Sequence, residues 1–369
     1  MSQMKIAYIV PSILDEGGVA RILSIKTHYL ITHLQYEIAI LSQIESHETP
    51  FYTFHPDIEW VTIPFNKKAI KSIFVYYKYL NNWLVNYNPD LIVVCDNGLK
   101  SFLLPFLVKY PKPLLYEVHS TVSVDNLNGK KISHRIYNYF KNKYKHFGIN
   151  QFSKVVLETP SAINDWKCSN ATVIANPIWF SSAQKSELKN PLVIAVGRHV
   201  YEKGFDQLLS IWSQLIPKYP TWKLAIYGNE SSDMDLKKRA KDLQIDNNVI
   251  FYNAVKNIQD AYINAAIFAM TSRFEAFGMV LIEAMECGLP CIAYNCPNGP
   301  KEIIQHQING FLVQNSNEVS YLEFLEQLMV DESLRIKMGK ESAKLAKKYE
   351  LDQIMYQWHE LFLSCCNKN

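Results

Sequence analysis

Short apolar runs punctuate the chain at regular intervals. They fall at 5–10, 36–42, 58–63, 90–95, 114–119, 146–150, 154–159 and 172–174, and again at 192–197, 223–227, 249–252, 267–271, 291–294 and 311–313. Several are continuous rather than alternating, which is the pattern of parallel strands covered on both faces. Longer stretches of helical periodicity separate them, so the spacing of roughly 25–30 residues predicts doubly wound α/β units. The series occurs twice. Two Rossmann-like domains are therefore expected, over 1–177 and 178–349, with a seam at Asn176-Pro177 and the polar stretch SSAQKSELKN that follows. Residues from about 350 to 369 read as a last helix, packed through Tyr356, Trp358, Leu361 and Phe362.

Composition agrees with this division. A chain of 369 residues exceeds what one core supports. With 48% hydrophobic and 20% charged residues it is globular and not disordered. Residues 1–176 carry 18 Lys and Arg against 13 Asp and Glu, a net of +5, which leaves 20 against 22, a net of −2, for the rest. A basic first half suits an anionic partner such as a phospholipid surface or a diphosphate lipid, and equally an ordinary solvated surface. The opening MSQMKIAYIVPS reads as a first strand and not as a secretion signal, and no apolar run reaches membrane-spanning length. None of the seven cysteines forms a C-x-x-C pair. Buried thiols in a reducing compartment, the cytoplasm, are expected.

In open α/β sheets ligands bind at the carboxyl ends of strands, so the chemistry is sought there. After the first strand, Gly17-Gly18 precede an amphipathic helix; this is either a phosphate-approaching loop or a mere turn, and it is not a full G-x-G-x-x-G. After the ninth predicted strand, GRHVYEKGF places Arg198 and Lys203 around a strand–helix turn, where a planar fork and a point charge suit a diphosphate. The most specific stretch is TSRFEAFGMVLIEAMECGLPCIAYNCPNGPKEII. There Glu275 and Glu283 are separated by seven residues, with Phe277-Gly278 between them at an expected helix start. Free N–H groups at that start would meet phosphates and sugar. Glu283 could reach a ribose diol, and Glu275 sugar hydroxyls. In the first half, His119 closes a predicted strand, and Glu117 is assigned to the opposite face.

These pieces, with Asn309-Gly310-Phe311, resemble in order and spacing the family 4 retaining glycosyltransferases of the GT-B fold. CPNGPKEII is similar to a subgroup found in bacterial surface-polysaccharide assembly. The resemblance implies two Rossmann-like domains facing across a cleft, acceptor side first and nucleotide-sugar side second, with the last helix crossing back. It implies that Arg198 and Lys203 neutralise the departing diphosphate and that Glu275 contacts the donor sugar. It further implies that Glu283 binds the ribose and that Phe277, Gly278 and Met279 offer backbone amides. Gly17 and Gly18 would approach the phosphates, and His119 would lie beside the sugar. Two departures stand out. Gly228 lies where relatives carry a longer glycine-rich turn, and residues 296–300 replace the commoner double-glycine loop near Glu302.

The expected reaction is retaining transfer of a hexose or N-acetylhexosamine from a nucleotide-sugar, UDP-linked by resemblance, to a glycan or lipid-linked acceptor. No cofactor and no metal are expected. Asp233-Met234-Asp235 has D-x-D spacing but precedes a helical run, where acidic residues are ordinary, and no His/Cys group has metal spacing. The basic, aromatic segment 130–147 is either an interfacial helix resting on anionic membrane, which would place the protein at the inner face of the plasma membrane, or a plain surface helix. The competing readings are a nucleotide-sugar epimerase and a non-catalytic nucleotide-sugar-binding protein. A dinucleotide oxidoreductase lacks its fingerprint, and nucleic-acid binding has no support beyond mild basicity.

Overall fold

A computed structural model describes residues 3–14, 16–43, 49–63, 72–122, 132–232 and 234–367. The chain divides into two compact units, Met1–Pro177 with Asp352–Asn369, and Ile178–Leu351.

The first unit runs β1 (Lys5–Ile9), α1 (Gly18–Leu34), β2 (Glu37–Ser42), β3 (Glu59–Thr62), α2 (Ser72–Tyr87), β4 (Leu91–Val94), α3 (Leu104–Leu107), β5 (Leu114–Glu117), α4 (Ile132–Ile149), β6 (Lys154–Leu157), α5 (Ala162–Trp166) and β7 (Ala171–Val173). The second runs β8 (Leu192–Val196), α6 (Phe205–Leu215), β9 (Lys223–Tyr227), α7 (Leu236–Asp242), β10 (Val249–Tyr252), α8 (Gln259–Ile263), β11 (Ile267–Met270), α9 (Met279–Glu286), β12 (Cys291–Asn295), α10 (Gly299–Ile303), β13 (Gly310–Gln314), α11 (Glu318–Val330) and α12 (Glu332–Ala346). Helix α13 (Leu351–Cys366) returns to the first unit.

All strand pairs are parallel, in the orders β3-β2-β1-β4-β5-β6-β7 and β10-β9-β8-β11-β12-β13. The central strands are buried on both faces, which is why LIVV of β4 and IFAM of β11 read as unbroken apolar runs. Each order reverses once, between β1 and β4 and between β8 and β11. At such a switch point the two flanking crossovers leave in opposite directions and open a crevice at the strand carboxyl ends. The loop carrying Lys203 follows β8, and the loop carrying Glu275 follows β11.

Two readings of the sequence are corrected. Residues 146–150 are not a strand but the end of α4 and its turn. Ile149 is buried in the first unit's core, and Gly148 packs so close that an added Cβ would lie 2.6 Å from the Cβ of Phe102. Four of these five residues, 146–149, are the last turn of an 18-residue helix. On α13, Trp358 and Phe362 are buried and Leu361 partly so, but Tyr356 is exposed. It lies two residues from Trp358, about 200° around the helix.

Candidate functional site

In the second unit the loop after β8 turns at Gly204, which adopts φ 65° as the residue before α6. A Cβ there would sit 2.0 Å from the carbonyl oxygen of Thr271, so only glycine lets this loop lie against the one after β11. The Thr271 hydroxyl donates to the Gly204 carbonyl at 2.9 Å. The result is a short ion pair: Lys203 Nζ lies 2.7 Å from Glu275 Oε1, with the side chains 23% and 10% exposed. The Ser272 hydroxyl donates to the same oxygen at 2.6 Å. Arg198 follows the end of β8, is exposed, and makes no ion pair with a described residue. The Lys203–Glu275 pair is thereby built by the loops after two strands that pair directly.

The Glu275 loop is held from below. Glu275 forms an isolated parallel bridge with Asn298, and Gly299 passes so close to Phe277 that a Cβ would meet its carbonyl oxygen at 1.8 Å. The unusual 296–300 loop is therefore a support for the Glu275 segment. Phe277 is buried against the edge of Tyr349, Gly278 is the residue preceding α9, and Met279 is its first helical residue. No side chain caps α9 and none in its first turn is acidic, so its amide donors meet no carboxylate of their own helix.

Glu283 sits apart from the Lys203–Glu275 pair in the bonds it makes. It is buried on α9; Trp179 Nε1 donates to Oε1 at 2.9 Å and the Tyr262 hydroxyl to Oε2 at 3.0 Å. Burial, and then the neighbouring Glu283 charge, push the Tyr262 phenol far above its usual pKa and keep it a donor.

In the first unit Gly17 precedes α1 with φ −69°, an ordinary extended value, and Gly18 begins the helix. Neither needs glycine for its backbone angle. His119 lies just past β5. Glu117 shares its face: His119 Nε2 is 3.3 Å from Glu117 Oε1, and His119 Nδ1 is 2.9 Å from Glu158 Oε1. Side chains alternate with period two, so positions 117 and 119 point the same way, and the assignment of Glu117 to the opposite face is overturned. Asn176 Nδ2 also donates to Glu158 Oε1, at 2.8 Å. Lys26 of α1 completes the cluster, with Nζ 2.7 Å from both oxygens of Glu117.

Burial opposes charge on these groups, but their partners outweigh it. Lys26, and after it His119, bring the buried Glu117 carboxyl down to about 2. Glu117 first, then hydrogen bonding that includes Glu158, holds the His119 imidazole well above its usual pKa. His119 is thus an imidazolium with both nitrogens committed to carboxylates. Among the described residues, Cys95, Glu117 and His119 approach one another with metal-ligand spacing, but the Lys26 ammonium already fills the cation's place on Glu117. Burial raises the Cys95 thiol to about 11. Of the D-x-D pair, Asp235 caps α7 by accepting from the Lys238 amide at 2.9 Å, and Asp233 lies outside the described residues.

The sequence reading missed Arg273, Asp206, Ser272, Trp179, Tyr262, Lys26 and Glu158. Lys26 carried a signal: it lies four residues after Ile22 and four before Leu30, on the buried stripe of α1. Ser272 pairs only three residues away, with Glu275, whereas Arg273, Asp206, Trp179, Tyr262 and Glu158 pair across 18 to 104 residues and leave no local mark.

Residues 179–345 match the family model described as glycosyl transferases group 1. An uncharacterized glycosyltransferase of Haemophilus influenzae is 28% identical over 96% of this chain and 98% of its own length. The amylovoran biosynthesis glycosyltransferase AmsD of Erwinia amylovora is 26% identical over 97% and 99%. Among solved structures, Anabaena Alr3699/HepE in complex with UDP-glucose superposes with a TM-score of 0.77 at 18% identity, over 98% of this chain and 100% of that one.

Proposed function

We propose that this chain, a family 4 glycosyltransferase of GT-B architecture acting in surface-polysaccharide biosynthesis, binds a UDP-sugar on its second unit and transfers the hexose or N-acetylhexosamine, with retention, to a glycan or lipid-linked acceptor held by the first. The observation that carries this reading is the Lys203–Glu275 pair at the β8/β11 switch point, with the exposed Arg198 on the same loop after β8. As the bond to the sugar breaks, charge develops on the leaving diphosphate and an oxocarbenium-like sugar forms. Lys203, Arg198 and the amides of Phe277, Gly278 and Met279 stabilise the anion, which is the work a metal would otherwise do. Glu275 takes sugar hydroxyls and Glu283 the ribose diol. No side chain of the site is placed as a covalent nucleophile, so the acceptor attacks on the face the diphosphate leaves. The UDP-glucose complex of the Anabaena protein supports the choice of base.

A panel of nucleotide-sugars tests this. UDP-hexoses are expected to raise the melting temperature most and to be hydrolysed slowly without acceptor. No stabilisation by any nucleotide-sugar would sink the reading, and so would clean conversion of the donor to its epimer.

We further propose that α4 rests on anionic membrane. Its exposed residues include Ile136, Tyr137, Tyr139 and Phe140, and Phe147 stacks on Phe106 of α3 with ring centroids 5.6 Å apart. Arg135 and Lys143 are exposed on the same helix, and no helix among the described residues is long and apolar enough to cross a membrane. Residues 130–131 lie outside the described residues. Apolar rings with cations beside them suit the headgroup boundary. Co-sedimentation with phosphatidylglycerol vesicles, lost in high salt and absent with phosphatidylcholine, is expected. Equal binding to both, or none, removes the proposal.

A further inference from the structure

Lys203 and Glu275 sit on two loops contributed by different strands, and both are partly exposed. Their own ion pair is too weak a tie to fix a site in which distance decides rate, because partly solvated pairs contribute little. The Thr271–Gly204 contact joins the loops at their base, and a further tie holds them beside the pair itself.

This further tie is Arg273, two residues before Glu275, and Asp206, three after Lys203. The guanidinium forks onto the carboxylate, Nη1 to Oδ1 at 2.9 Å and Nη2 to Oδ2 at 2.7 Å. Nη1 also donates to the Tyr201 carbonyl at 2.6 Å, and the guanidinium lies 4.1 Å from the Tyr201 ring centre. The Arg273 amide donates to the Glu202 carbonyl at 2.7 Å. From α7, Arg239 Nε donates to the Asp206 carbonyl at 3.1 Å. Arg273 therefore grips the loop after β8 at 201 and 202 and the first turn of α6 at 206, on both sides of Lys203. Two parallel bonds set angle as well as distance, which a lysine cannot do. Both Asp206 oxygens are occupied by Arg273, so the pair is committed to holding the loops and not to holding a ligand.

We propose that Arg273 and Asp206 are positioning residues that act through Lys203 and Glu275, fixing the separation of cation and carboxylate at the donor's reacting end. This rests on the reading of Lys203 and Glu275 as the donor's contacts. Breaking the fork would let the two loops part, and a misplacement of about 1 Å can cost on the order of 100-fold in rate.

Four proteins decide the matter: wild type, Arg273→Lys, Lys203→Ala and the double variant. Arg273→Lys keeps the charge but loses the fork, and is expected to lower kcat about 10- to 100-fold while UDP still stabilises the protein against heat. The double variant is expected to lose clearly less than the product of the two single losses, because one of the two groups Arg273 acts through is already gone. Arg273→Lys within two-fold of wild type overturns the proposal. So do losses that multiply in the double variant, which would mean Arg273 acts independently of Lys203. If Lys203→Ala itself is as active as wild type, the donor-site reading fails instead.

Discussion

Lys203→Ala is expected to lower kcat/KM for the donor about 100- to 1000-fold, the usual cost of removing one preorganised donor from a charge-stabilising site, or about 2.7–4 kcal/mol of transition-state stabilisation. Two effects combine. The cation that would meet the leaving diphosphate disappears. Glu275, 10% exposed, is also left with Ser272 as its side-chain hydrogen-bond partner and presents an unopposed negative charge to an anionic substrate. The second effect separates from the first in Lys203→Ala/Glu275→Gln: removing the carboxylate charge should improve donor KM relative to Lys203→Ala while kcat stays low. Arg198→Ala should show the first effect only, since Arg198 leaves no paired carboxylate behind. Melting temperatures should move little in either single variant, because a partly exposed pair adds at most about 1 kcal/mol. Steady-state rates with saturating acceptor provide the check; near wild-type turnover in both Lys203→Ala and Arg198→Ala, each folded, would refute the assignment of the leaving-group site.

Why some of this was legible in the sequence follows from how the information is stored. Buried parallel strands must be apolar throughout, so β1, β4, β8 and β11 announce themselves, and with them the strand ends where Arg198, Lys203 and Glu275 sit. The same rule misled at 146–150, because a short apolar run at a helix end satisfies it equally well. The Glu117 error came from ignoring the period of two. Arg273 sat inside the most informative stretch of the chain, two residues from Glu275, yet nothing local links it to Asp206, 67 positions earlier. Pairings of that kind exist only once β8 and β11 lie side by side. The unit 1 cluster is hidden for the same reason: its members come from α1, the ends of β4, β5 and β6, and the loop at Asn176.

That cluster sets the second expectation, which concerns stability. Lys26→Met should destabilise the first unit by about 3–5 kcal/mol, the cost of leaving a buried carboxylate without its partner. Lys26 is 1% exposed, bonds both Glu117 oxygens, and lies 3.3 Å from the ring centre of Trp358, so it also ties α13 to the sheet. Methionine restores the packing volume but not the charge. Adding Glu117→Gln should therefore recover much of the loss, since a neutral pair removes the orphaned charge. The pH dependence carries a definite sign. Glu117 has a folded pKa near 2 against an ordinary 4.5, so its contribution is present above 4.5 and lost as pH falls toward 2. His119 is shifted upward from 6.5, so its contribution is full below 6.5 and lost as pH rises through its raised value. Wild type should thus be favoured on the acid side of neutrality. The gap to Lys26→Met should be widest above pH 4.5 and close below it, as protonation of Glu117 removes the unpaired charge. Urea unfolding across pH 3–8, followed by a first-unit tryptophan such as Trp166 or Trp358, would measure it. A gap that stays constant with pH would mean that Lys26 acts through packing on Trp358 and not through the charge of Glu117.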